Sequence, residues 1–102
     1  MTISDEEAVI VRVVLSEIDG DTLASLNYLE DDLIAAIKLA DAGEFDGNEL
    51  GKAELVLYMY GPNAENLFAA VEATLRNASL MKSASVVIRY GPPGAACRCI
   101  NL

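Results

Sequence analysis

Two thiols, a short run of acids and a set of tyrosines and arginines are the side chains of this chain whose types and spacing bear on chemistry. Cys97 and Cys99 stand two positions apart and are the only cysteines. On an extended strand that spacing puts both thiols on one face. Two thiols make half of a tetrahedral zinc site, and the sequence holds no further cysteine and no histidine to complete it. A dithiol redox motif prefers two intervening residues beside a helix N-terminus. The pair therefore reads as two small reduced thiols, with a site shared between neighbouring molecules left open.

The acids Asp41, Glu44, Asp46 and Glu49, with Asn48, lie within nine positions. Oxygen ligands at short spacing suit calcium or magnesium, but aligning Gly47 with the glycine of a calcium-binding helix–loop–helix puts Ala42 and Ala53 at the first and last ligand positions. The simpler reading is a turn at Asp46-Gly47-Asn48, with the remaining acids in water. There they would guard a sheet edge or present it to a basic partner. Nucleophilic catalysis needs a base beside the nucleophile. Without histidine a serine would need Lys38, Lys52, Lys82 or a raised carboxylate, and nothing in the spacing pairs them. Gly91-Pro92-Pro93-Gly94 places prolines where a phosphate cradle needs N–H donors. We therefore expect no catalytic residue, no metal and no cofactor, and lean away from an enzyme.

The chain that must position these groups has 102 residues, enough for one α/β domain over residues 1–102 and too few for two. At 53% hydrophobic and 23% charged it is globular in composition. Sixteen acids against seven bases leave a net charge of −9, which repels nucleic-acid backbones, favours basic partners and keeps a hydrophobic small domain in solution. No apolar run approaches the ~20 residues that span a bilayer. The acidic start Met1–Glu7 lacks the pattern of a signal peptide. The expected setting is cytoplasmic, without membrane contact.

Periodicity predicts a strand over Ala8–Leu15, apolar at every second residue from Val9 and nearly so on its other face, as in a central strand. Ile18-Asp19-Gly20-Asp21 reads as a turn. A helix follows on Leu26, Leu29, Leu33, Ile37 and Ala40, capped by Asn27 with Glu30 or earlier by Asp21 or Ser25, and ended by a left-handed Gly43. Glu44–Leu50 reads as a short edge strand or irregular arm. Ala53–Tyr60 reads as a strand, and Gly61-Pro62 breaks it. Asn63 caps a second helix with its stripe on Leu67, Phe68, Val71 and Leu75. Ser85–Tyr90 and Ala95–Leu102 form a closing hairpin around Gly91–Gly94.

This order matches the ferredoxin-like β-α-β-β-α-β sandwich of the α+β class, with an extra C-terminal strand and both helices on one face of an antiparallel sheet. If the helices cover Val9, Val11, Val13, Leu55, Leu57, Met59, Val86 and Ile88, the other face carries Ile10, Arg12, Val14, Val56, Tyr58, Tyr60, Val87 and Arg89. Arg98 and Ile100 would extend that face from the last strand. The alternative is that the C-terminal hairpin or the N-terminal arm folds over it.

The stretch Gly43-Glu44-Phe45-Asp46-Gly47-Asn48-Glu49, running through Gly51 to Tyr60-Gly61-Pro62 and Asn63–Phe68, with Arg89-Tyr90-Gly91 later, resembles a group of small, largely uncharacterised bacterial proteins. Those proteins carry an Asp-Gly-x-Glu stretch followed by a Tyr-Gly-Pro turn. The resemblance covers about half the chain. It implies a bacterial origin and brings no established activity with it.

Aliphatic, tyrosine and arginine side chains on one surface are types enriched at protein interfaces, and a large apolar patch is seldom left bare. The expected function is a non-enzymatic, acidic interaction protein that self-associates as a homodimer or binds another protein through Ile10, Arg12, Val56, Tyr58, Tyr60, Arg89 and Arg98. An inhibitor or immunity-type role against a basic protein would suit the charge. The alternative is a small-molecule or enzymatic site for an anionic or aromatic ligand between the tyrosines and arginines.

Overall fold

A computed structural model describes residues 6–102. The start at residues 1–5, read above as part of an acidic, non-signal N-terminus and as an arm able to fold over the sheet, lies outside the described residues. The elements are β1 (Glu7–Val14), α1 (Gly20–Ala40), β2 (Glu44–Gly51), β3 (Glu54–Gly61), α2 (Ala64–Asn77), a 3-10 turn (Ser79–Met81), β4 (Ser85–Arg89) and β5 (Cys97–Asn101). They form an α+β arrangement of two helices and one five-stranded sheet ordered β2-β3-β1-β4-β5, every neighbouring pair antiparallel. No helix among the described residues is long and apolar enough to cross a membrane.

β1 lies at the centre, as its two apolar faces require. Its odd-numbered residues Val9, Val11 and Val13 meet Leu55, Leu57 and Met59 on β3, and Val86 and Ile88 on β4, in one buried cluster with Leu29, Leu33 and Ile37 of α1 and Leu67, Val71 and Leu75 of α2. Both helices therefore cover the same side of the sheet. Met81 and Ala84, just after α2, close one end of this core.

The helix start differs from the expected one. Asp19 is the N-cap: its carboxylate accepts the N–H of Thr22 at 2.9 Å and the hydroxyl of the same residue at 3.1 Å. A capping carboxylate satisfies a donor that the first helical turn leaves orphaned. The residues read as a turn at 18–21 thus begin a 21-residue helix, and neither Asp21, Ser25 nor Asn27 caps it. Hydrogen bonds from Thr22 hold the Asp19 carboxyl below the usual carboxylate range.

The helix end differs too. Asp41, not Gly43, takes the left-handed conformation (φ 50°), and the N–H groups of Asp41 and Ala42 return to the carbonyls of Lys38 and Ile37. Gly43 is required for a different reason. Its φ is +142°, and a β-carbon there would stand 2.0 Å from the carbonyl oxygen of Tyr60. Gly61 mirrors it, since a β-carbon would stand 2.2 Å from the Ala42 carbonyl oxygen. Two bare backbones cross where the helix exit passes the end of β3.

Glu44–Gly51 is a full eight-residue edge strand rather than an arm. Its register against β3 slips between Phe45 and Gly47, a β-bulge at Asp46. Phe45 and Leu50 are five positions apart, which in a regular strand would put them on opposite faces. The extra residue resets the phase, so Phe45 opposite Met59 and Leu50 opposite Leu55 both pack against the core. The turn chemistry read at Asp46-Gly47-Asn48 is this bulge. The actual reversal is the two-residue link Lys52-Ala53, with Lys52 at φ 32°.

Asn63 caps α2 as expected, accepting from the N–H of Asn66 at 2.9 Å. Glu7 at the start of β1 adds a second acceptor for the same helix end, taking the N–H of Ala64 at 2.7 Å. β5 pairs with β4 and extends the sheet as its edge strand, so this strand does not lie over the face opposite the helices.

Candidate interaction face

The sheet's second face holds the residues expected there from β1, β3 and β4. Directly opposed pairs share a face, and the ladders set Ile10 beside Tyr58 and Val87, Arg12 beside Val56, and Ala8 beside Tyr60 and Arg89. No helix among the described residues covers this side. Even so, Ala8 is fully buried and Val56 is 5% exposed. Their register neighbours on this face include the longer side chains of Arg12, Tyr58, Tyr60 and Arg89. Val14, at the end of β1, is 74% exposed on the same face.

The polar ends of Arg12 and Tyr58 are held by acids, and that of Arg89 by a backbone carbonyl. Arg12 donates to Glu54 at 3.3 Å. The Tyr58 hydroxyl donates to the Glu49 carboxylate, which also pushes the phenol's pKa above its ordinary value. Arg89 donates through Nε to the Gly91 carbonyl at 2.7 Å, pinning its stem at the hairpin's mouth. Two shallow depressions result, at opposite ends of the face. One, of about 540 Å³, is lined by Arg12, Glu49, Lys52, Glu54, Val56 and Tyr58. The other, of about 520 Å³, lies between Glu44, Asp46, Tyr60, Arg89 and the two prolines of the hairpin loop.

Of the expected binding residues, Ile10, Arg12, Val56, Tyr58, Tyr60 and Arg89 come together here. Arg98 does not. The β4–β5 register puts Arg98 opposite Ile88 and Ile100 opposite Val86, both on the helix side. The reversal follows from the loop: the hairpin link spans 90–96, and its length sets which parity of β5 faces which way. Cys97 and Cys99, opposite Arg89 and Val87, take the places assigned to Arg98 and Ile100.

Arg98 instead reaches α2. It meets Glu65 with Nη2–Oε1 and Nη2–Oε2 at 2.7 and 2.9 Å, and Tyr90 donates its hydroxyl to the same carboxylate. This cluster ties the last hairpin to the first turn of α2. Arg98 first, and Tyr90 second, hold the Glu65 carboxyl below its ordinary range. A carboxyl whose folded pKa is depressed contributes stability that is complete above about pH 4.3 and is lost as pH falls through the lowered folded value. The melting-temperature gap between the parent and Glu65→Gln is therefore expected to be widest near neutrality and to narrow as pH falls below about 4.3. A gap independent of pH would contradict the pairing.

The acids of residues 41–49 are dispersed by the strand. Asp41 ends α1, Glu44 and Glu49 sit opposite Tyr60 and Val56 on the open face, and Asn48 turns toward the helices to donate to Glu30. Among the described residues no group of three or more cysteine, aspartate or glutamate side chains is disposed to hold a metal ion. Alternation along 53–60 puts Glu54 on the side of Val56 and Tyr58; what sequence reasoning missed is Glu49 on this face, and the pairing of Glu49 with Tyr58 and of Glu54 with Arg12.

No protein-family model, no curated protein and no solved structure matches this chain.

Proposed function

We propose that the open sheet face is a protein-binding surface and that its first occupant is a second copy of this chain. The observation that carries the reading is the face itself: Ile10, Val87, Val14, Tyr58 and Tyr60 lie on a side of the sheet that no helix among the described residues covers. Open sheets of this kind pair face to face about 10 Å apart, with side chains interdigitated. A two-fold contact uses the same patch twice and so needs both signs of charge on it. Arg12 and Arg89 beside Glu44, Glu49 and Glu54 supply both.

The strand order supports a ferredoxin-like sandwich extended by β5, a fold that hosts many functions, so the reading rests on the face and not on the fold. A cytoplasmic bacterial setting fits it. The excess of acids favours a basic protein as a heterologous partner, in an inhibitor or immunity-type role, and disfavours nucleic acid. One observation favours a second reading: Arg12, Lys52 and Tyr58 line one depression, a set suited to an anionic or aromatic small molecule. Glu49 and Glu54 line it as well and already engage Tyr58 and Arg12, which ranks it second.

The test is light scattering from about 10 µM to about 1 mM, a range that registers association constants down to a few kcal/mol of binding. The parent's mass is expected to rise above the 10.9 kDa monomer. Ile10→Glu and Val87→Glu are expected to hold it there, because each buries an unpaired carboxylate in the contact. Parent and variants alike at monomer mass throughout would remove self-association and leave the heterologous partner.

A further inference from the structure

We propose that Cys97 and Cys99 together form a two-coordinate site for one soft monovalent cation, copper(I) in the first instance. Both thiols are exposed, and both lie on the open face, opposite Arg89 and Val87 at the free edge of the sheet. The site adjoins the self-association surface, since Cys99 stands opposite Val87, but neither thiol is among the residues on which that reading rests.

Strand geometry decides what two thiols at this spacing can do. Residues i and i+2 of a strand stand roughly 6.8 Å apart, with side chains projecting side by side. A disulfide needs β-carbons about 3.5–4.5 Å apart. The pair cannot close an internal disulfide while β5 stays extended. An ion between two sulfurs asks for less. With metal–sulfur bonds of about 2.3 Å, as for zinc, the sulfurs on either side of one ion stand roughly 4.6 Å apart. Each Sγ then has to lean inward by only about 1 Å, which rotation about χ1 allows.

Ligand number and charge select the ion. Zinc in a structural site takes four ligands, and this chain has two thiols and no histidine to offer. Soft thiolates favour copper(I), which is content with two. Binding replaces both thiol protons: two S–H bonds break, two S–Cu bonds form, two protons leave, and no electron moves. The resulting bis-thiolate complex carries one negative charge. The Arg89 guanidinium, on the residue directly opposite Cys97, supplies one positive charge on the same face.

The experiment is an anaerobic titration of the reduced full chain with copper(I) against a chromophoric copper(I) chelator. One ion per chain is expected, with two protons released per ion. Cys97→Ser and Cys99→Ser should each weaken binding by about 100-fold or more, since a single thiolate loses the benefit of its tethered partner. Both positions are exposed, so both variants should melt with the parent. Single variants that bind as tightly as the parent, one ion shared by two chains, or zinc(II) binding as tightly as copper(I) would each overturn the proposal.

Discussion

Gly43→Ala and Gly61→Ala are each expected to destabilise the protein by about 3 kcal/mol or more, the range reserved for strained backbone and forced displacement. At Gly43 two penalties coincide. A φ of +142° is a region that side chains rarely enter, and the added carbon would lie 2.0 Å from the Tyr60 carbonyl oxygen. That oxygen is backbone within a paired strand and cannot swing aside as a side chain would. Gly61 carries only the second penalty, against the Ala42 carbonyl oxygen at 2.2 Å. Relief at either site means separating the start of β2 from the end of β3, which strips pairing from the edge nearest Tyr60. Urea denaturation of the two variants measures the cost. A loss below about 1 kcal/mol at both would mean that the backbones do not cross as closely as described. The double variant should cost less than the sum, because one separation relieves both contacts.

The second large effect separates the two sides of the sheet. Leu57→Ala is expected to cost about 2–5 kcal/mol, whereas Val14→Ala should fall within about 0.5 kcal/mol of the parent. Leu57 is fully buried between β1 and the helices, so truncation leaves a cavity that the two packed layers cannot fill. Val14 is 74% exposed at the end of β1 and has little packing to lose. A domain of this length has a total stability of only about 5–15 kcal/mol, so the first substitution removes a large share of it. Comparable costs at the two positions would mean that the sheet is covered on both sides.

Most of the architecture could be read from periodicity. The parity of β1, β3 and β4 and the stripe of α2 from Leu67 to Leu75 are regular, so most element types and their order followed from residue spacing, and the right-handed sense of crossovers put both helices on one side. Where the reading went astray, a local signal was outranked by a tertiary one. Asp19-Gly20 has turn chemistry, yet the same aspartate is a good N-cap, and the choice depended on the helix finding a sheet to cover. Asp46-Gly47-Asn48 has turn chemistry as well, yet pairing with β3 turned it into a bulge that lets Phe45 and Leu50 share a face.

The site was legible to the same degree. Ile10, Arg12, Val56, Tyr58, Tyr60 and Arg89 fall on one parity of their strands, and they share a face. Arg98 was misplaced because its side depends on the length of a proline-rich loop, which periodicity does not report. Of the acids that anchor Tyr58 and Arg12, Glu54 has a legible side from strand alternation, whereas Glu49 reads as a solvated loop acid until β2 is paired with β3.

The most direct test of an open face used for contact is a dilution series of amide NMR spectra of the isotope-labelled chain. Between about 1 mM and about 20 µM, shifts are expected to move at Ile10, Arg12, Val56, Tyr58, Tyr60 and Val87, while amides along the outer side of α1 near Tyr28 and Leu39 stay fixed. Movement confined to the helices, with the strand amides still, would place contact on the wrong side of the sheet and contradict the account.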